Sequence, residues 1–135
     1  MSPGPATPRA PQNPRSVALV VGAYAALAVV GLVGTWWFNL AYRGGDYLGD
    51  WFANPASSSA AVDILVAFAV SVVFYIREAR RLGWRAWVPV VFAALSLVLA
   101  VAFAFPLFLA LREIRLARAA APSTGAGHGV ERVST

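Results

Sequence analysis

From residue 17 to residue 42 the chain reads VALVVGAYAALAVVGLVGTWWFNLAY and carries no charged side chain. A bilayer core about 30 Å thick takes about 20 apolar residues in a helix, so this run is long enough to cross one. Trp36, Trp37 and Tyr42 lie at its far end, where amphipathic rings favour a lipid–water boundary. A second run, AAVDILVAFAVSVVFYI, covers residues 60–76 and is interrupted by one acid, Asp63. Asn54-Pro55 is a strong helix start, with Asn as N-cap and Pro at the first helical position, and Ser57 to Ser59 offer a competing cap. Gly83 supplies a stop after REARRL. A third run starts near Ala86 with Pro89 in its first turn and Pro106 near its end, where the missing N–H frees a carbonyl. The reading is therefore all-α: an integral membrane bundle of three transmembrane helices, near residues 17–42, 55–81 and 86–115.

Composition supports this assignment. Apolar residues make up 59% of the chain and charged ones 13%, against about 25% charged in an ordinary soluble domain. A core of this size cannot hide that much apolar surface, so lipid must cover part of it. There are no cysteines, and the single histidine, His128, sits in a Gly-rich stretch, which leaves no sulfur or histidine metal site and no cofactor to expect. The net charge of +5 comes wholly from arginines placed beside the ends of the apolar runs. That placement fits a membrane protein rather than a nucleic-acid binder. Residues 1–16 hold five prolines and residues 119–135 are small and polar, so both read as disordered tails around a helical domain at 17–118. The first apolar run is too long for the core of a cleavable signal. Arginine-only basicity with abundant Ala, Val and Gly suggests a bacterial, GC-rich source, and hence a multi-pass protein of the inner (plasma) membrane.

On helical wheels the polar residues gather into stripes. Tyr24, Ala28, Gly31, Thr35, Asn39 and Tyr42 align in the first run; Asp63, Ala67, Ser71, Tyr75 and Glu78 in the second; Pro89, Phe92, Ser96, Ala100 and Phe103 in the third. Small and polar residues favour helix–helix contacts in lipid, so the first two helices are expected to pack through their stripes. The expected interhelical cluster is Asn39, Asp63, Ser71 and Tyr75. Asp63 is the most informative member, because an aspartate at the bilayer centre costs about 2.5–3.5 kcal/mol. It reads either as a structural acid near a helix N-terminus, bonded to Asn39, or as a proton-handling or ligand-contacting carboxylate. Trp37, Trp51, Trp84 and Trp87 mark the two interfaces, where Glu78 is expected to pair with Arg81 or Arg85.

Several elements resemble a known family in order and spacing. They are Phe52-Ala53-Asn54-Pro55, Ser57, Ser58, Asp63-Ile64-Leu65, Glu78 with Arg80-Arg81-Leu82-Gly83, and Phe105-Pro106-Leu107-Phe108-Leu109 with Arg112-Glu113. The sequence is similar there to a bacterial family of small membrane proteins catalogued as domain of unknown function 2834, and the first helix joins the resemblance only around Trp37 to Asn39. The resemblance implies the three-helix arrangement and brings no activity, cofactor or substrate. Three functions remain open: a non-enzymatic accessory or structural membrane component, a small intramembrane enzyme acting on an apolar lipid or isoprenoid with Asp63 as acid or base, and a subunit of an oligomeric transporter. The partners expected are the lipid bilayer and a second copy or another membrane protein, with no nucleic acid. Arginine placement puts the N-terminus in the cytoplasm and, across three spans, the C-terminus outside, although LREIRLAR argues the other way.

Overall fold

The computed structural model describes residues 13–121, so the expectations for residues 1–12 and 122–135 lie outside it. Among the described residues there are five helices and no strand: α1 (Pro14–Ala41), α2 (Tyr47–Asp50), α3 (Pro55–Arg81), α4 (Trp87–Val98) and α5 (Val101–Ala120). The first and last helices extend past both expected boundaries. Asn13 caps α1 by accepting from the Arg15 N–H at 3.0 Å, so Pro14, Arg15 and Ser16 are helical rather than tail. At the other end, Ala119 and Ala120 still belong to α5.

Local chemistry explains the ends of α3. Asn54 Oδ1 accepts from the backbone N–H groups of Ala56 and Ser57 at 3.0 and 3.1 Å, while Ser57 Oγ accepts from the Asn54 N–H at 3.3 Å. That reciprocal box settles the competition among caps in favour of Asn54. At the C-terminus Gly83 takes φ +64°, and the Trp84 and Gly83 N–H groups bond back to Ala79 and Arg80 at 2.8 and 3.3 Å. This is a Schellman closure, for which glycine carries no steric penalty.

The expected third helix is two helices. Backbone geometry breaks at Leu99 and Ala100, with Ala100 extended at φ 169° and ψ 147°. Both N–H groups turn back to the Leu95 carbonyl, at 2.9 and 3.3 Å. The rings of Phe92 in α4 and Phe108 in α5 then lie 5.0 Å apart. A continuous helix would hold them about 24 Å apart, so α4 and α5 form an antiparallel hairpin. What the fold-back gains is burial against α3: Tyr75 sits 5.6 Å from the Phe92 ring and 4.7 Å from the Phe108 ring. Aromatic pairs of this kind contribute about 0.5–1.5 kcal/mol each beyond their buried area. Tyr75 and Phe108 are the largest fully buried side chains. Pro89, Phe92 and Ser96, three residues of the third stripe, are the buried face of α4.

Contacts advance together along α3 and α5: Phe74 with Phe105, Tyr75 with Phe108, Glu78 with Arg112. These two helices therefore run in the same direction, with α4 opposed to both. The first stripe is also a packing face, but its partner is α5 rather than the expected α3. Ala28 is buried, and Val17, Val21, Tyr24, Gly31 and Thr35 are half-buried along one side of α1. A Cβ at Gly31 would collide with the carbonyl of Ala102, at the start of α5. Covering Val17 to Ala28 from that crossing requires α5 to run antiparallel to α1. Pro106 contributes here, because it has no N–H for the Ala102 carbonyl, and the bare Cα of Gly31 lets α1 close over that oxygen.

One end of the molecule thus gathers the start of α1, the end of α3, the start of α4 and the end of α5. The other end holds α2 with the near ends of α1 and α3. Gly31→Ala is expected to lower stability by about 1–3 kcal/mol, since the added methyl meets backbone. Gly22→Ala, with nothing within 4 Å of the new Cβ, serves as the control and should be neutral or stabilising. Melting temperatures of the two variants in mild detergent check this, and equal behaviour contradicts the close crossing.

Candidate functional site

Two polar centres are present. The inner one lies where α3, α4 and α5 meet. Tyr75 Oη and Ser96 Oγ share a hydrogen bond at 3.0 Å, and Ser96 Oγ donates to the Phe92 carbonyl at 2.8 Å. One turn further on, Glu78 Oε1 accepts from Arg112 Nε at 2.6 Å, and Arg112 Nη1 donates to Glu113 Oε1 at 2.5 Å. Arg81 stands 3.7 Å from Glu78 Oε2 with its own side chain 60% exposed, so the expected Glu78–Arg81 pair is the weaker contact. The Glu78 side chain is 9% exposed and that of Arg112 23%, which makes their bond an inward, charge-assisted clamp between α3 and α5. Ser71 turns its hydroxyl to the Ala67 carbonyl of its own helix at 2.7 Å.

The outer centre lies in the connector. Tyr47 Oη donates to Asn39 Oδ1 at 2.7 Å and Tyr42 Oη to Asp50 Oδ2 at 2.6 Å. Asp46 caps α2 through the Gly49 N–H at 2.9 Å. The Tyr47 ring packs edge-on against Tyr42 at 5.1 Å and tilted against Trp51 at 5.9 Å. The hydrogen bond to the Asp50 carboxylate pushes the Tyr42 phenol up to about 12, because ionisation would lose the donated proton and set two anions together.

Of the four expected cluster residues, Ser71 and Tyr75 lie one turn apart and buried on α3, while Asn39 and Asp63 lie elsewhere. Asn39 is bonded to Tyr47, Ser71 to its own backbone and Tyr75 to Ser96. Asp63 is exposed on α3, about 18 Å along the helix axis from Tyr75 at 1.5 Å per residue. A shared stripe put these residues on one side of a helix without putting them at one depth. Of the expected boundary tryptophans, Trp37 and Trp87 are exposed at 72% and 56%, Trp51 is half-buried in the connector, and Trp84 packs inward 5.2 Å from Phe108. Ser96, Arg112 and Glu113 were within the noted stripe or motif but had no assigned partner. Their partners depend on the fold-back, and no glycine or proline at positions 99 and 100 announces it. No group of three or more His, Cys, Asp or Glu side chains able to hold a metal occurs among the described residues.

The fold and its polar centres define an all-α protein with two helices, α1 and α3, long and apolar enough to cross a membrane, and a shorter apolar helix, α4. Residues 23–114 match the family model described as Protein of unknown function DUF2834, and the chain belongs to that family. The match takes in most of α1, beyond the few residues around Trp37 that signalled it. No curated protein and no solved structure matches.

Two measurements follow. Arg112→Met leaves the Glu78 carboxylate with Arg81 alone and should cost about 3–5 kcal/mol, whereas Glu78→Met with Arg112→Met together should recover most of it. Denaturant titrations in mild detergent report both, and an additive double variant contradicts the clamp. For Tyr42 the folded pKa is the raised one, so its contribution is present below the ordinary value of 10.0 and is lost as pH rises through about 12. The phenolate absorbance of the parent minus that of Tyr42→Phe should titrate near the upper value, and a midpoint near 10.0 refutes the Asp50 bond.

Proposed function

We propose that this chain is a non-enzymatic membrane component, an accessory or structural subunit that works by helix–helix contact. In this reading α1 and α3 cross the bilayer and α4–α5 enters it as a hairpin. α4 alone has 12 residues and reaches about 18 Å, short of an apolar core of about 30 Å. Its partner arm is apolar from Val101 to Leu111 and ends in Arg112, Arg115 and Arg118. Both arms begin and finish beside the arginines, which is the geometry of a re-entrant segment. The turn at Leu99 and Ala100 is half-buried and its two N–H groups are bonded, the condition for irregular backbone at membrane depth.

Placed this way, Arg15, Arg77, Arg80, Arg81, Arg85, Arg112, Arg115 and Arg118 share one face, against Arg43 with Asp46 and Asp50 on the other. Basic residues are retained on the cytoplasmic side, so the start of α1 and the end of α5 both belong there. The expectation of an external C-terminus rested on a third crossing, which the hairpin replaces.

The observation that carries the functional reading is the uncovered part of α3. The hairpin stops partway, and Val62, Asp63, Ile64, Leu65 and Val66 are all exposed. An aspartate facing lipid is costly, so this stretch suits a partner helix that offers it a polar group. The enzyme reading loses its support, since Asn39 is bonded to Tyr47, Tyr75 to Ser96, and neither to Asp63. The chain has no cysteine, so Val62→Cys introduces a single thiol that a maleimide–benzophenone reagent can label and then photo-cross-link to a neighbouring C–H bond in native membranes. The expected result is a discrete cross-linked product that Asp63→Leu abolishes and Asp63→Asn retains. A thiol at Val62 that reacts with a small maleimide yet links to nothing contradicts the reading.

A further inference from the structure

We infer that the arginine-rich mouth of the α4–α5 hairpin is a binding site for an anionic phospholipid, a site that rests on the membrane reading above and gives it a ligand. A cleft of about 480 Å³ opens there between the start of α4 and the end of α5. Trp84, Phe92 and Ile114 contribute apolar wall, and Arg85, Arg115 and Arg118 contribute the charge. All three arginines are exposed, and none has a carboxylate partner among the described residues. The carboxylates closest in sequence to them are engaged elsewhere, Glu78 and Glu113 both by Arg112.

That pairing pattern separates two kinds of arginine at the same end of the molecule. Arg112 is spent internally on the clamp. Arg85, Arg115 and Arg118 converge from the loop before α4 and from the last turns of α5, with their charge uncompensated. Arg115 and Arg118 lie three residues apart and so share one side of α5. Guanidinium groups donate in a fork that matches two oxygens of a phosphodiester, and they stay charged at any relevant pH. The wall below them is aromatic and aliphatic, which a free phosphate would leave wet and an acyl chain would cover. Trp84 and Trp87 at the same opening place it at headgroup depth. A molecule with a phosphodiester head and an apolar tail satisfies both halves of the cleft, and basic pockets between helices on the cytoplasmic side are suited to such lipids.

The test uses the full chain in phosphatidylcholine nanodiscs, with brominated phosphatidylglycerol as quencher of the cleft tryptophans. Brominated phosphatidylglycerol should quench at a lower mole fraction than brominated phosphatidylcholine. Arg115→Gln with Arg118→Gln should shift that midpoint about 25-fold, taking about fivefold for each bond from a cleft guanidinium to the headgroup that is lost. Arg77→Gln, an exposed arginine outside the cleft, should leave it within about twofold. Equal quenching by the two lipids overturns the proposal, as does a preference unchanged in the double arginine variant. Displacement of the brominated lipid by millimolar inorganic phosphate also overturns it, by showing that the site takes a free anion. A chain that stays soluble without detergent and does not enter nanodiscs defeats the membrane reading itself, and is distinguishable from a reconstituted chain without lipid preference.

Discussion

Everything in this fold leans on the reversal of the chain at Leu99 and Ala100. Because α4 and α5 turn back on each other, Phe92 and Phe108 both reach Tyr75, and the Tyr75 hydroxyl finds Ser96. The same reversal brings Arg112 to the level of Glu78 and frees the outer side of α5 for α1. An unbroken helix over residues 86–115 would lose each of these contacts at once. The reversal is stabilised by three aromatic rings, one hydroxyl pair and one charged clamp, none of which lies at the turn.

This arrangement distributes polarity by depth. The central layer is aromatic, with its hydroxyls bonded to each other or to backbone carbonyls, and no buried side-chain polar atom is left without a partner among the described residues. Below it sits the Glu78–Arg112–Glu113 chain, partly buried, whose two carboxylates are balanced by Arg112 and by the exposed Arg81 beside Glu78. Below that again are the exposed arginines with no internal partner. Charge becomes freer toward one end, the distribution that the proposed anchoring in an anionic leaflet calls for. The opposite end has aromatic rings, two aspartates and a small capped helix, α2, which borders a cleft with the start of α3.

Much of this was legible from residues alone. Uncharged length gave α1; Asn54-Pro55 and Gly83 gave the two ends of α3 to the residue, since capping depends on local chemistry. The stripes named packing faces over part of their length: Ala28, Ser71, Tyr75, Phe92 and Ser96 are buried, while Asn39, Asp63 and Ala67 are exposed. What they could not give was the neighbour. A wheel records angle and discards depth, so Asp63 and Tyr75 looked like one site although they lie about 18 Å apart along the helix. The hairpin was hidden because its turn uses ordinary helix formers, Leu and Ala, and its cause is tertiary: aromatic burial that no local window contains. The conflicting arginine count was the one trace it left in the sequence, for LREIRLAR fits the basic side only if the chain doubles back.

The return of α4–α5 to the side it came from is tested by labelling single cysteines in intact cells with a membrane-impermeant maleimide. Gly45→Cys, in the acidic connector, should be labelled from outside. Ala121→Cys, just beyond α5, should be labelled only after the membrane is opened. Labelling of Ala121→Cys in intact cells, on the same side as Gly45→Cys, would mean that the segment crosses, and would contradict the hairpin topology.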